Sequence, residues 1–228
     1  MDPTLVERFA QAVAAVDVDP RIANIPVKDA DADAELRAWL DGNEDLLPWA
    51  DPVRVTADEW FFVTTLYGEM TLAGQRTHIR RYFHPLFVDV AKRDIRNFVP
   101  GLAAYKGLRA SWMPARLCKM SEILRRHDLT MEAYAEKLRG VDRTATPDDP
   151  TPALDRIIRD HKATGWKTLS VFVRDCIRGN CFPIDTRVQK ALNDHRLPAY
   201  ERTLVGLSLA VRRNPRELAR KFYWVGGS

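Results

Sequence analysis

Apolar residues recur at helical spacing along most of the chain, and the segments they mark begin on residues that cap helices. Asp2-Pro3 places an N-cap and a first-turn proline ahead of LVERFAQAVAAV. DAELRAWL reads as a short helix that stops at Asp41-Gly42. Thr56-Ala57-Asp58-Glu59 is a capping box before WFFVTTLY; that run is aromatic and β-branched enough for a strand, and the cap decides for helix. Pro114 opens PARLCKMSEILRRH, where Leu117, Met120 and Leu124 recur at helical spacing and Arg125, Arg126 and His127 suit the negative end of the helix dipole. Thr130 caps MEAYAEKL, Thr151 caps a helix with Pro152 in its first turn, and Asn214-Pro215 opens the last helical run. Residues 143–152, RTATPDDPTP, form a connector. No hairpin signature between alternating apolar runs is present, so the pattern predicts an all-α protein of roughly ten short helices.

With 46% hydrophobic residues among 228, the chain can build a real core. No apolar run approaches the ~20 residues that span a bilayer. The acidic opening MDPTLVERF lacks the basic stretch of a signal peptide, so an intracellular, cytoplasmic protein without a membrane partner is expected. Cys118, Cys176 and Cys181 show no metal spacing, nor do the histidines, and neither a metal site nor a cofactor is expected. The net charge of +4 conceals an asymmetry: residues 1–60 carry 14 acidic and 5 basic side chains, whereas residues 76–126 carry 12 basic and 3 acidic. A basic face for nucleic acid and an ordinary solvated helix surface account for it equally well.

The stretch HKATGWKTLSVFVRDCIRGNCFPIDTR, His161 to Arg187, concentrates the candidate chemistry. Residues 151–161 and 168–177 read as helices joined by HKATG with Gly165 as the flexible point, a helix-hairpin-helix. Amides exposed at such a turn carry partial positive charge and suit a phosphate. Lys167 opens the second helix beside Trp166. A lysine becomes nucleophilic when apolar burial and neighbouring cations disfavour its charged form, a setting that Trp166, Lys162 and Arg187 would supply if the fold gathers them. Asp185 precedes Thr186-Arg187-Val188 and falls at the N-terminus of the next helix, as a cap that still presents an oxygen outward.

GWKT followed by PIDTRV at this separation resembles the helix-hairpin-helix DNA glycosylase superfamily, of which endonuclease III is a member. That family reads Gly-x-Lys-Thr at the end of its hairpin and Val-Asp-Thr-His/Arg after the following helix, and both signatures match here without a gap. WMPARLCKMSEILRRH is similar to the family's helix before the hairpin domain, and LYGEMTLAGQRTHIRRYFHPLF to its early helix pair, so the resemblance covers Trp60 to the C-terminus. The family hairpin is usually Leu-Pro-Gly-Val-Gly, whereas this chain has HKATG, with Ala163 in place of one glycine. The iron–sulfur loop of endonuclease III has no counterpart, as in the branches specialised for 8-oxoguanine.

The resemblance implies a two-lobed helical fold, with residues 60–165 as one lobe and residues 1–59 with 166–228 as the other, and DNA bent across the cleft. It implies a nucleoid-associated monomer that acts on double-stranded DNA containing a damaged base. Lys167 becomes the nucleophile: it attacks C1′, the base leaves, a Schiff base forms and β-elimination nicks the strand. Asp185 opposes the positive charge that develops on the sugar. Amides of Ala163 and Gly165 would hold backbone phosphate, and Lys162, Arg187 and some of Arg76, Arg80, Arg81, Arg116 and Lys119 would add charge contacts. Met70 falls in the turn region where the family inserts a residue into the duplex. Trp224 would stack on an extruded base, although core packing is the better expectation for both residues. An oxidised base, 8-oxoguanine first, is the expected lesion. Two other outcomes fit the same motifs: a monofunctional glycosylase in which Asp185 activates water and Lys167 only binds DNA, and a non-catalytic nucleic-acid-binding module.

Overall fold

Capping residues and buried helix faces account for most of the architecture. The computed structural model describes residues 2–23, 55–66, 72–108, 110–162 and 165–227, and among them every regular element is helical. The expected helix DAELRAWL lies outside the described residues. Helix α1 (Pro3–Asp17) starts where the Asp2 carboxylate accepts the Thr4 amide, and it buries Phe9, Ala12, Val13 and Val16 along one stripe. In α2 (Ala57–Leu66) the capping box is reciprocal: the Glu59 amide donates to Thr56 Oγ1 at 3.2 Å and the Thr56 amide to Glu59 Oε2 at 2.8 Å. All of its residues from Glu59 to Leu66 are buried, which is why its sequence shows no apolar stripe.

Helix α3 (Leu72–Tyr82) runs into a π-helical stretch, Phe83–Val90. Helix α4 (Trp112–Arg126) begins two residues before Pro114, so the proline sits inside the first turn rather than opening it. Thr130 caps α5 (Met131–Asp142) by accepting the Ala133 amide. Helix α6 (Pro152–His161) departs from expectation at its start: Thr151 makes no side-chain cap, and its hydroxyl is buried without a hydrogen-bond partner among the described residues. Helix α7 (Trp166–Phe172) gives way to a second π-helical stretch, Val173–Ile177, where one regular helix over 168–177 was expected. The chain then forms α8 (Thr186–Asp194), α9 (Glu201–Ala210) and α10 (Pro215–Val225), the last capped by Asn214, which accepts the Arg216 and Glu217 amides. No described helix is long and apolar enough to cross a membrane.

These elements build two hydrophobic cores. The first spans α2 through Cys181 and is rich in rings: Phe62 packs on Phe83, Phe87 and Phe98 with centroids 5.0–5.9 Å apart. The second joins α1 to α8, α9 and α10 around Phe9, Phe182 and Phe222. The handover falls between Cys181 and Phe182, not between 165 and 166. Leu169 and Phe172 of α7 are fully buried in the first core, so the expected lobe boundary cuts through it.

Candidate nucleic-acid site at the hairpin

Helix α6 ends at His161, whose ring is fully buried and whose Nε2 lies 3.2 Å from the Arg116 carbonyl oxygen. Burial pushes the imidazole pKa down to about 4, so the ring is neutral at ordinary pH. Lys162 follows in the left-handed conformation, φ 46° and ψ 19°, exposed, with its amide donating to the Ile158 carbonyl. Ala163 lies outside the described residues. Gly165 has φ 114°, a region L side chains rarely adopt, and its carbonyl accepts the Leu169 amide as α7 begins.

A side chain at Gly165 would also have to displace Arg116. A Cβ there would collide with the Arg116 guanidinium, which lies directly across the turn. Arg116 comes from α4, donates to Thr168 Oγ1 at 2.6 Å and stacks on the Trp112 ring with its guanidinium carbon 3.8 Å from the centroid. The residue is only 8% exposed, and burial pushes its pKa down to about 10, which leaves it cationic at neutral pH. Arg116 was expected on a phosphate-binding surface; instead it holds the hairpin against α4. Lys119, half-buried one turn on, pairs with Glu122 at 2.9 Å. Arg81 is exposed, with its guanidinium 5.3 Å from the Tyr82 ring centroid. Arg76 and Arg80 belong to α3, but their side chains, like Met70, lie outside the described residues.

Lys167 is the second residue of α7. It is exposed, and its ammonium makes no hydrogen bond or ion pair among the described residues. The expected apolar enclosure is therefore missing: Trp166 beside it is itself 40% exposed. Asp185 caps α8 from an extended backbone, and its Oδ1 accepts the Val188 amide at 2.8 Å. No hydrogen bond or ion pair joins Lys167 to Asp185.

Around Asp185 the structure assembles a different group. The Arg187 guanidinium lies 5.0 Å from the Tyr223 ring centroid, and Tyr223 meets Trp224 edge-on at 5.5 Å. Trp224, half-buried, is thus tied through Tyr223 to the helix that Asp185 caps. Helices α8 and α10 approach closely because Gly226 presents no side chain: a Cβ there would strike the Arg187 carbonyl.

Two buried polar networks connect the hairpin side to the Asp185 side, and neither is visible in the sequence pattern. Asp175, in the π-helical turn after α7, accepts two 2.7 Å hydrogen bonds from Arg174 and one of 3.0 Å from Arg220 of α10. Burial would push its carboxyl pKa up, but the two guanidinium groups hold it below the usual value. Glu201, in the first turn of α9, accepts Ser170 Oγ and the Phe182 amide, each at 2.6 Å. A first-turn glutamate after the exposed Tyr200 reads as solvated dipole chemistry, and nothing in the sequence marks it as 3% exposed. No family model, curated protein or solved structure matches the chain.

Proposed function

We propose that the protein is a DNA repair enzyme of the helix-hairpin-helix glycosylase type, an N-glycosylase with coupled AP-lyase activity on an oxidised base, 8-oxoguanine first. The carrying observation is the placement of the GWKT and IDTR residues. Lys167 stands exposed two residues after the left-handed Gly165, and Asp185 offers a carboxylate at the N-terminus of α8. The exposed Lys162 and Arg187 flank them with positive charge.

In this reading the Lys167 amine attacks C1′ of a nucleotide turned out of the stack. The C1′–base bond breaks and the departing base takes a proton. Ring opening yields a C1′ iminium, and loss of a C2′ proton expels the 3′ phosphate. Asp185, with Oδ1 engaged by the Val188 amide, opposes the oxocarbenium-like charge through its carboxylate. The test is incubation with an 8-oxoguanine duplex and borohydride, which reduces the iminium to a stable adduct. Wild-type protein should form it, Lys167→Gln should not, and Asp185→Asn should slow it about a hundredfold with lesion binding kept. Equal trapping by Lys167→Gln removes the assignment.

The exposure of Lys167 favours a second reading, a monofunctional glycosylase. Asp185 then activates water and Lys167 contacts backbone phosphate. Base release with an intact strand until alkali is added identifies that case.

A further inference from the structure

Ser170 lies three residues beyond Lys167, and Phe182 lies three residues before Asp185. Both reach the same atom. Glu201 Oε1 accepts the Ser170 hydroxyl at 2.6 Å and the Phe182 amide at 2.6 Å. One oxygen from a third segment, α9, therefore ties the helix that carries Lys167 to the segment that leads into Asp185. It does so across the handover between the two cores, since Ser170 follows Leu169 of the first core and Phe182 belongs to the second. The other oxygen, Oε2, is buried and has no hydrogen-bond partner among the described residues. A fold selected for stability alone gains little from burying a carboxylate with one oxygen unpaired, because an unsatisfied buried polar atom costs roughly 1–3 kcal/mol. What the carboxylate provides is an acceptor strong enough to draw two donors from separate segments onto one point.

We infer that Glu201 is the positioning residue of the proposed site: it fixes Lys167 and Asp185 relative to each other without touching substrate. The inference rests on the proposed glycosylase reading for its kinetic consequence and on geometry alone for its structural one. Positioning predicts a loss in the chemical step rather than in binding, because misplacement by about 1 Å costs on the order of a hundredfold in rate. Gln at 201 keeps an acceptor oxygen for both donors; Ala removes it.

The experiment measures single-turnover adduct formation and lesion-duplex affinity for wild type, Glu201→Gln, Glu201→Ala and Ser170→Ala, with amide NMR spectra of each. Glu201→Ala should lose about tenfold to a hundredfold in rate with Kd within about twofold of wild type, and Glu201→Gln should recover most of it. Ser170→Ala, which removes one of the two bonds, should fall between and serves if Glu201→Ala does not fold. In the spectra, amides of residues 166–170 and 182–188 should shift together in the Ala variants and stay in place in Glu201→Gln. Rates equal to wild type in the Ala variants overturn the inference, as do shifts confined to Ser170 and Phe182. If wild-type protein forms no adduct and releases no base on any lesion, the glycosylase reading falls, and the spectra alone decide the role of Glu201.

Discussion

Two buried groups titrate in opposite senses. His161 is held neutral, its pKa pushed down to about 4 from 6.5 by burial. The unfolded chain binds the proton first, so this contribution to stability is complete above pH 6.5 and is lost as pH falls through 4. Glu201 is pushed up to about 7 from 4.5 by burial, against the opposing pull of Ser170 and Phe182. Its contribution is complete below pH 4.5 and is lost as pH rises through 7, by the same linkage. Each is on the order of 3 kcal/mol by the ~1.4 kcal/mol per unit conversion, and between pH 4.5 and 6.5 they oppose one another. Asp58, raised to about 6 by burial, adds to the fall with rising pH. Urea denaturation at pH 4.5, 5.5, 6.5 and 7.5 should therefore show wild-type stability falling with pH. Glu201→Gln should flatten that fall, because His161 and Asp58 then nearly offset each other, and His161→Leu should steepen it. Parallel profiles for all three would show that the groups do not carry these shifts in the folded protein.

Among the elements, most helix starts were legible, with Thr151 and Pro114 as the exceptions, while the ends after α8 and α9 were not. Asp2, Thr130, Asp185 and Asn214 each cap through a side-chain oxygen, and Thr56 and Glu59 cap reciprocally. These caps are local chemistry, written within three residues. The ends follow a Schellman pattern whose left-handed residue is Asp128 after α4, Arg196 after α8 and Arg212 after α9, with no glycine to announce it. After α8, for example, the Leu197 amide donates to the Leu192 carbonyl and the Arg196 amide to that of Asn193. A side chain at φ near 55° costs more than glycine does there. Arg196→Gly and Arg212→Gly should each raise stability by ~0.5–1 kcal/mol, read as a higher urea midpoint at unchanged slope. The π-helical stretches were equally hidden: Val173–Ile177 packs against α2 and α5, and Phe83–Val90 against α2 and α3, contacts that no local spacing announces. Within the hairpin, the sequence placed Gly165, Lys167 and Asp185 on the right elements. It could not reveal that Arg116 turns inward, since burial of a guanidinium is decided by Trp112 and Thr168, the latter 52 residues away.

At the scale of the molecule, the two cores are fastened by charge as well as by apolar contact. Asp175 faces Arg174 from its own turn and Arg220 from α10, all of them little exposed. Removing the carboxylate takes away the anion that both guanidinium groups contact. Asp175→Ala should cost about 3–5 kcal/mol in urea denaturation, and Asp175→Asn, which keeps an acceptor, should cost less. An all-α architecture followed from periodicity and caps; the handover at Cys181 did not, because which core Leu169, Phe172, Val173, Cys176, Ile177 and Cys181 join is decided by long-range packing.

That handover also orders assembly in time. Among the described residues, the buried residues of the first core run from Ala57 to Cys181, whereas the second needs α1 together with α8, α9 and α10. On a ribosome, the first core can close while the later helices are still being made. Helix α1, made before the first core, has to wait for partners made after it. Lys167 on α7 is thus in place before α8, which Asp185 caps, finds its packing, since that waits for Phe222 to be enclosed by Phe9 and Phe182.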